Sequence, residues 1–140
     1  MIVEADGGPL GAVVAGANVH DTKLLEETID AMIVERPDPR THEQHLALDK
    51  GYDNPTGHTT VGKKGYTGHI RKIGEEKLDE RGHKRLPARR WVVERTHGWL
   101  NRCRAILVRY AKKSSNYLAQ IQLACILLWF RRLYQLGGEN

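Results

Sequence analysis

The apolar positions at the start of the chain follow two different spacings. Residues 2–5 and 10–15 are short apolar runs on either side of Asp6-Gly7-Gly8-Pro9. Because Asp-Gly between apolar runs is typical of a hairpin, this region predicts a strand, a turn and a strand. Between residues 21 and 35 the apolar residues recur at helical intervals, and Asn18 is the expected N-cap of that helix. Two prolines shortly afterwards end the helical pattern.

The middle of the chain predicts two further strands with a loop between them. Residues 46–48 form a short apolar strand that ends at Asp49. Residues 54–68 are rich in Gly, Thr and Lys, which indicates a loop that can include one short helix. Residues 66–73 are compatible with a strand, although their apolar residues alternate poorly.

The C-terminal part of the chain predicts two long helices after a charged connector over residues 74–86. Pro87 fits the first turn of a helix that runs to about residue 105. Ser114-Ser115-Asn116 caps a final helix over residues 117–136, which two glycines end. The apolar residues of this final helix are enough to pack it into a core and to allow a dimer contact as well.

The composition is that of a globular protein of one domain, or of part of one. The chain has 140 residues, of which 40% are hydrophobic and 28% are charged. Cys103 and Cys125 show no metal-type spacing and are expected to be reduced thiols. The longest apolar run, residues 123–130, falls well short of the ~20 residues of a membrane span. With no signal peptide visible at the start, these features favour a soluble cytoplasmic protein.

The charges are sorted by sign along the chain. Residues 1–49 hold ten acidic and three basic residues, a net charge of −7, and residues 50–140 hold seven and nineteen, a net charge of +12. Solubility does not require such sorting. The asymmetry therefore indicates that the basic part of the chain binds a polyanion.

Two carboxylates are candidates for chemistry, and each has a structural alternative. Glu94 is the one acidic residue among thirteen Lys and Arg over residues 81–138. It is either a counter-ion, chiefly for Arg90 one helical turn earlier, or a functional carboxylate where an anionic polymer binds. Asp49 either caps the bend that follows it or lies at a ligand site, since open α/β sheets bind ligands at strand ends.

Considered together, Asp49 and Glu94 favour metal binding over either structural role. A strand-end Asp and a helical Glu on opposite sides of a basic loop can jointly hold Mg²⁺, which prefers carboxylate oxygens. Two such ions about 3.5–4 Å apart activate the attacking oxygen at a phosphodiester. Basic side chains then contact phosphates, and the candidates are Arg89, Arg90, Arg95, Arg102 and Arg104. Trp91 and Trp99, two helical turns apart, are expected to pack in the core rather than stack on bases.

Several motifs of the chain resemble those of the DDE transposases of bacterial insertion sequences. Leu48-Asp49-Lys50-Gly51-Tyr52-Asp53 is similar to the "D-x-G-Y/F" motif at the second catalytic aspartate of that family. Arg90 and Glu94, followed by Trp99-Leu100-Asn101-Arg102-Cys103-Arg104, resemble its catalytic-glutamate helix. Gly8-Pro9-Leu10 and Ala17-Asn18-Val19-His20-Asp21 resemble its "G-x-P-L…A-N-x-H-D" stretch, so the motifs cover nearly the whole chain in family order.

The resemblance implies a fold and a reaction. The fold is an α/β ribonuclease-H-like core, a mixed sheet with flanking helices, followed by long C-terminal helices, with one partial catalytic domain over residues 1–140. The reaction is hydrolysis at element ends and then attack of the freed 3′-hydroxyl on target DNA. Asp49 and Glu94 would be catalytic ligands of Mg²⁺ or Mn²⁺, with Arg90 as a support or phosphate contact. The expected partners are double-stranded DNA and either a second copy of the chain or a chain encoded upstream; the expected location is the cytoplasm, at the nucleoid.

The chain departs from the family pattern at three places. The family's first aspartate precedes the Gly8-Pro9-Leu10 motif, and the chain starts after that strand; Asp6, in the predicted turn, is no substitute. We therefore expect a fold that is incomplete at its N-terminus, and a split or decayed transposase that does not cleave DNA by itself. Pro87 replaces a frequent tyrosine, and Asn101 stands where some members have a lysine, which indicates a subgroup difference.

Two alternatives from other classes remain open. In a non-catalytic DNA-binding or regulatory module, Glu94 would merely pair with arginines. In a structural or interaction protein, the final helix would bind partners and the chain would have no affinity for DNA. Salt-dependent DNA binding would contradict the structural or interaction protein, and it would agree with both the transposase and the DNA-binding module.

Overall fold

The computed structural model describes residues 1–70 and 90–137 of the chain. Its strands and helices follow one another in the order β1 (Ile2–Val3), β2 (Pro9–Gly11), α1 (Asp21–Asp30), β3 (His45–Leu48), α2 (Pro55–Lys63), β4 (Thr67–Ile70), α3 (Arg90–Leu100), α4 (Arg104–Leu107) and α5 (Ser114–Gly137), with a 3-10 turn over Lys50–Tyr52.

The strands form two small sheets, so the predicted α/β class is confirmed. β1 and β2 are antiparallel, with Ile2 opposite Gly11. β3 and β4 are parallel, with Leu48 opposite Ile70, and α2 connects them. Each sheet has two strands within the described residues. The finer expectation, a ribonuclease-H-like core, stays a prediction.

Two hydrophobic clusters hold these elements together. The first joins β1, α1 and α2 through the buried residues Ile2, Leu25, Ile29 and Val61. The second joins α3, α4 and α5 through the buried residues Leu100, Ile106, Ile121 and Ala124. Strand β3 packs its Leu46 and Leu48 against the first cluster and exposes its other two side chains. This alternation brings the strand to the surface at its end, where Asp49 lies.

The first helix is shorter than predicted and has a different cap. It ends at Asp30; the Ala31 amide still donates to the Glu27 carbonyl oxygen, but the Ile33 amide donates to the Leu10 carbonyl oxygen of β2 at 3.2 Å. Its N-cap is His20, whose Nδ1 accepts a hydrogen bond of 3.3 Å from the Thr22 amide. The prediction of Asn18 as the cap was therefore wrong, because a histidine ring nitrogen next to the first turn supplies the acceptor.

Other predicted boundaries also changed. The expected helix over residues 87–105 is broken by a turn after Leu100, and α4 begins only at Arg104. The expected loop over residues 54–68 contains α2, in which Asn54 accepts from the Gly57 amide and Pro55 occupies the first turn. The connector over residues 74–86, the end of the strand predicted over residues 66–73, and Pro87 lie outside the described residues.

The N-terminal hairpin is clamped by α3 and α5. Gly7 has φ +88°, a conformation that favours glycine, and its carbonyl oxygen lies 2.7 Å from the fully buried Thr96 hydroxyl of α3. From α5, Trp129 Nε1 donates to the Pro9 carbonyl oxygen at 2.8 Å, and Arg132 pairs with Glu4 at 2.8 Å. The hairpin thus fixes the two C-terminal helices relative to the first cluster.

Helix α5 carries a second, uncovered apolar face. Its packed face includes Ile121 and Ala124, while the opposite face exposes the large apolar side chains Leu123, Ile126, Leu127, Phe130, Leu133 and Tyr134. These positions repeat at intervals of three and four residues, the spacing of a helix-packing stripe. Among the residues that the structure describes, no helix has the length and hydrophobicity needed to span a membrane.

Candidate metal and nucleic-acid site

Asp49 lies where β3 ends and the 3-10 turn begins. Its carboxylate accepts a hydrogen bond from the Lys50 amide and caps the turn, and the side chain is exposed to solvent. The capping interpretation of Asp49 is therefore confirmed. A cap fixes the direction of a carboxylate, so this role is compatible with metal binding at the strand end.

Asp49 is held near α1 by a hydrogen-bond network that sequence reasoning missed. The Thr22 hydroxyl donates to the Gly51 carbonyl oxygen at 3.4 Å. The Asn54 amide nitrogen donates to the Thr22 oxygen at 3.2 Å and to the Gly51 carbonyl oxygen at 3.1 Å. The same Asn54 caps α2 through its amide oxygen, which accepts from Gly57 at 2.9 Å. One side chain therefore fixes the turn after Asp49 against two helices.

The charge of Asp49 reaches into this turn. Burial raises the pKa of the Tyr52 hydroxyl, and the negative charges of Asp21 and Asp49 raise it further. Both carboxylates therefore lie within electrostatic reach of one phenol. Asp21 is the first residue of α1, within the stretch that resembles the transposase motif.

Glu94 lies on the exposed side of α3. The buried positions of this helix are Val92, Thr96 and Leu100, which recur every four residues and face the hairpin and α5. Glu94 falls on the opposite side, and its side chain is exposed. The helix thus packs one face and directs this carboxylate to solvent, within the basic part of the sequence.

The Met1 amine interacts electrostatically with groups on α1 and α3. Desolvation lowers the pKa of the Met1 amine, and the charge of Asp21 opposes that shift. Desolvation also lowers the pKa of His97, and the positive charge of the Met1 amine lowers it further. The Met1 amine is thus within electrostatic reach of Asp21 on α1 and of His97 on α3, one helical turn after Glu94.

Metal binding by Asp49 and Glu94 remains a prediction. Over residues 1–70 and 90–137 there is no group of three or more His, Cys, Asp and Glu side chains that could hold a metal ion. The two exposed carboxylates supply the hard oxygen atoms that Mg²⁺ and Mn²⁺ prefer, so the chemistry of the donors fits. A site built from these two would take its remaining ligands from water, from phosphate or from another polypeptide segment.

Arg95 makes intramolecular contacts. Its guanidinium lies between two indole rings, 4.6 Å from the Trp91 ring centroid and 5.0 Å from that of Trp99. It also donates to the Asp6 carbonyl oxygen at 2.5 Å. These contacts hold the hairpin turn, so a phosphate contact by Arg95, which stays a prediction, would compete with them. Trp91 is 54% exposed, and the expectation that it packs in the core was wrong.

The other candidate phosphate contacts fall into two groups. Arg102 and Arg104 are exposed at the turn that joins α3 to α4, where no hydrophobic cluster covers them. Arg90 is the first residue of α3, but its side chain, like the whole of Arg89, lies outside the described residues. The counter-ion alternative for Glu94 involves the Arg90 side chain, which lies outside the described residues, and it stays a prediction.

Only weak sequence signals indicated the contacts that hold the hairpin against α3 and α5. Thr96 is a polar residue at the centre of a buried helix face, and such residues are usually hydrogen-bonded to backbone. Trp129 and Arg132 lie one turn apart on α5, and both reach the hairpin 120 or more positions earlier in the chain. Outside the hairpin, Asn54 directly before a proline carried a recognisable capping pattern.

Comparison with known proteins bears on these assignments. The family model described as "Transposase DDE domain" matches residues 1–129. The chain belongs to this family. Members of the DDE transposase family cut and join DNA, and they generally use divalent metal ions.

A relative within this transposase family is the putative transposase for insertion sequence element IS402 from Burkholderia cepacia. The two proteins are 31% identical over 136 residues, which is 95% of the present chain and 62% of the relative. The chain thus spans less than two thirds of the length of that transposase. No solved structure matches the chain.

Proposed function

We propose that this DDE transposase domain supplies two carboxylates, Asp49 and Glu94, and a basic DNA-binding surface to the cleavage and transfer of DNA strands. The observation that carries the proposal is the placement of both carboxylates. Asp49 lies exposed at the end of a strand in a parallel pair, and Glu94 lies exposed on the outer face of α3. Both lie within residues 1–129, which the family model matches, in stretches that resemble the family's motifs.

Each part of the chain has a distinct task in this proposal. Asp49 and Glu94 would hold Mg²⁺ or Mn²⁺, and a bound ion of this kind polarises a phosphodiester and activates the attacking oxygen. Thr22 and Asn54 fix the turn that orients Asp49. Arg102 and Arg104, with Arg89 and Arg90, would contact phosphates and set the register of the duplex without reading its sequence.

The proposal assigns two of the three carboxylates of the family motif to this chain. A third ligand would come from another polypeptide segment. The uncovered stripe of α5 supports such a partner, because six large apolar side chains are exposed there. A stable protein–protein interface usually buries an area on the order of 800 Å² on each partner.

Salt-dependent binding of duplex DNA tests the basic surface. The logarithm of the affinity of the purified chain for duplex DNA should fall linearly with the logarithm of the salt concentration. Its slope should be about −0.9 for each phosphate contact. Arg102→Gln with Arg104→Gln should reduce that slope by about 2, whereas Arg40→Gln, on the acidic part of the chain, should leave it unchanged. Binding that does not respond to salt would favour a protein-interaction role instead.

Strand cleavage tests the assignment of the carboxylates. The purified chain should not nick an end-containing duplex in Mg²⁺ or Mn²⁺, because two carboxylates are expected to hold the ions more weakly than three. Cleavage should appear when a partner supplies a further carboxylate, and it should then be lost in Asp49→Asn and Glu94→Gln. Metal-dependent nicking by the chain alone would contradict the proposal, and partner-supported cleavage that survives both substitutions would favour the non-catalytic module.

A further inference from the structure

The turn between α4 and α5 exposes an unusual combination of side chains. Over residues 107–113, hereafter the 107–113 turn, Tyr110 is 69% exposed and Leu107 is 62% exposed. Arg109, Lys112 and Lys113 are exposed in the same turn. An aromatic ring is thus uncovered between cations, although burying it would be favourable.

Internal contacts hold the backbone of the 107–113 turn in place. Arg109 Nε donates to the Ala111 carbonyl oxygen at 3.1 Å, and the guanidinium lies 5.1 Å from the Tyr117 ring centroid. The Tyr117 hydroxyl in turn donates to the Ile106 carbonyl oxygen at 2.9 Å, which joins the start of α5 to α4. Tyr110 is therefore displayed from a braced turn, which lowers the entropy cost of binding through it.

The electrostatics of this region select an anionic partner. The sequence has no Asp or Glu over residues 95–138, so no acidic residue of this segment neutralises the cations of the turn. Arg102 and Arg104 are exposed on the neighbouring turn and extend the positive surface. A purely apolar partner would leave Lys112 and Lys113 desolvated without a counter-charge, which is costly.

The exposed Tyr110 ring favours single-stranded over double-stranded nucleic acid as the partner. Bases in an intact duplex stack on one another, and their faces are not available to a protein ring. Proteins that bind single strands combine cations along the backbone with aromatic rings on which bases stack. We propose that the 107–113 turn binds unpaired DNA, with the Tyr110 ring stacked on a base and Lys112 and Lys113 on the adjoining phosphates. This inference rests on the proposed function, because strand cleavage and transfer expose unpaired bases.

Fluorescence of 2-aminopurine in a single-stranded oligonucleotide tests the stacking. The full chain should quench the probe, and Tyr110→Ala should abolish the quenching and weaken single-strand binding about 5- to 100-fold. Tyr110→Phe should retain both, since it keeps the ring. The control is Ile33→Ala, which removes an 82% exposed apolar side chain from the acidic part of the chain and should change neither. Equal effects of Tyr110→Ala and Ile33→Ala, or none, would overturn the inference.

The cations and the comparison with duplex DNA complete the test. Lys112→Gln with Lys113→Gln should reduce the salt slope for single strands by about 1.4. Tyr110→Ala should leave binding of a fully paired duplex unchanged. If duplex binding depends on salt but Tyr110→Ala leaves single-strand binding intact, this inference fails while the proposed function stands. If the chain binds neither form of DNA, both fail.

Discussion

The Thr96 hydroxyl lies 2.7 Å from the carbonyl oxygen of Gly7, a residue 89 positions earlier in the chain. It lies 3.0 Å from the Val92 carbonyl oxygen as well, so its single proton is shared between the hairpin and the preceding turn of α3. Thr96 is fully buried, and Gly7 is buried too. The position of α3, and with it of Glu94, therefore depends on a buried polar contact with the hairpin.

Thr96→Val should destabilise the protein by about 1–3 kcal/mol, because the Gly7 carbonyl oxygen loses its buried donor at nearly constant side-chain volume. The free energy of unfolding in urea measures this effect. Thr96→Ser keeps the hydroxyl and should lose less stability than Thr96→Val. If the valine variant proved as stable as the parent protein, the contact would not position α3.

Gly8→Ala should also be destabilising, by about 1–3 kcal/mol, because a Cβ atom at Gly8 would overlap the Trp129 ring. Gly62→Ala provides the matched control, since a Cβ atom there meets nothing within 4 Å and α2 should gain about 0.5–1 kcal/mol. Thermal unfolding of both variants should therefore show shifts of opposite sign. A Gly8→Ala variant as stable as the parent protein would mean that α5 does not pack tightly on the hairpin.

Asn54→Ala should cost about 1–2 kcal/mol, because α2 loses its N-cap and the turn after Asp49 loses its link to Thr22. Asn18→Ala is the control, since Asn18 does not cap α1 and its replacement should stay within about 0.5 kcal/mol of the parent protein. Urea unfolding of the two variants compares an observed cap with the cap expected from sequence. A larger loss of stability in Asn18→Ala than in Asn54→Ala would contradict the assignment of these caps.

The shifted pKa of His97 predicts a pH dependence of stability. Desolvation, and then the Met1 amine, lower the pKa of His97 below its ordinary value of 6.5 in the folded protein. As the pH falls from 6.5 toward the pKa of His97 in the folded protein, the unfolded chain therefore binds more protons than the folded protein. Stability decreases over that window. Unfolding of the parent protein and of His97→Gln at pH 7.5 and pH 5 isolates this contribution. The parent protein should lose more stability than the variant on acidification, and an equal or smaller loss would contradict the assignment.

The pattern of the sequence predicted the elements whose cause is local. The strand ending at Asp49, the hairpin around Gly7 and the final helix follow from apolar spacing and turn residues, and the structure contains all three. The end of α1 at Asp30 and the turn after Leu100 were not predictable in this way, because the apolar pattern continues through both positions. Their location depends on tertiary contacts that periodicity does not record.

The same distinction between local causes and tertiary contacts applies to the candidate site. The exposure of Asp49 and Glu94 agrees with a functional interpretation of both carboxylates, which sequence motifs alone identified. The engagement of Arg95 between Trp91 and Trp99 could not be foreseen, since it needs the position of the Asp6 carbonyl oxygen from the other end of the chain. Contacts between distant segments decide which charges remain at the surface.

Binding of Mn²⁺ in the presence of duplex DNA, measured by the loss of the free-ion electron paramagnetic resonance signal, shows whether Asp49 and Glu94 share one metal ion. If Asp49 and Glu94 share an ion, Asp49→Asn and Glu94→Gln should each weaken binding by about tenfold or more, and the double variant should be little worse than either. Glu27→Gln, which removes an exposed carboxylate from α1, should bind like the parent chain. Unchanged binding in either single variant, or effects that simply add in the double variant, would contradict a shared metal site.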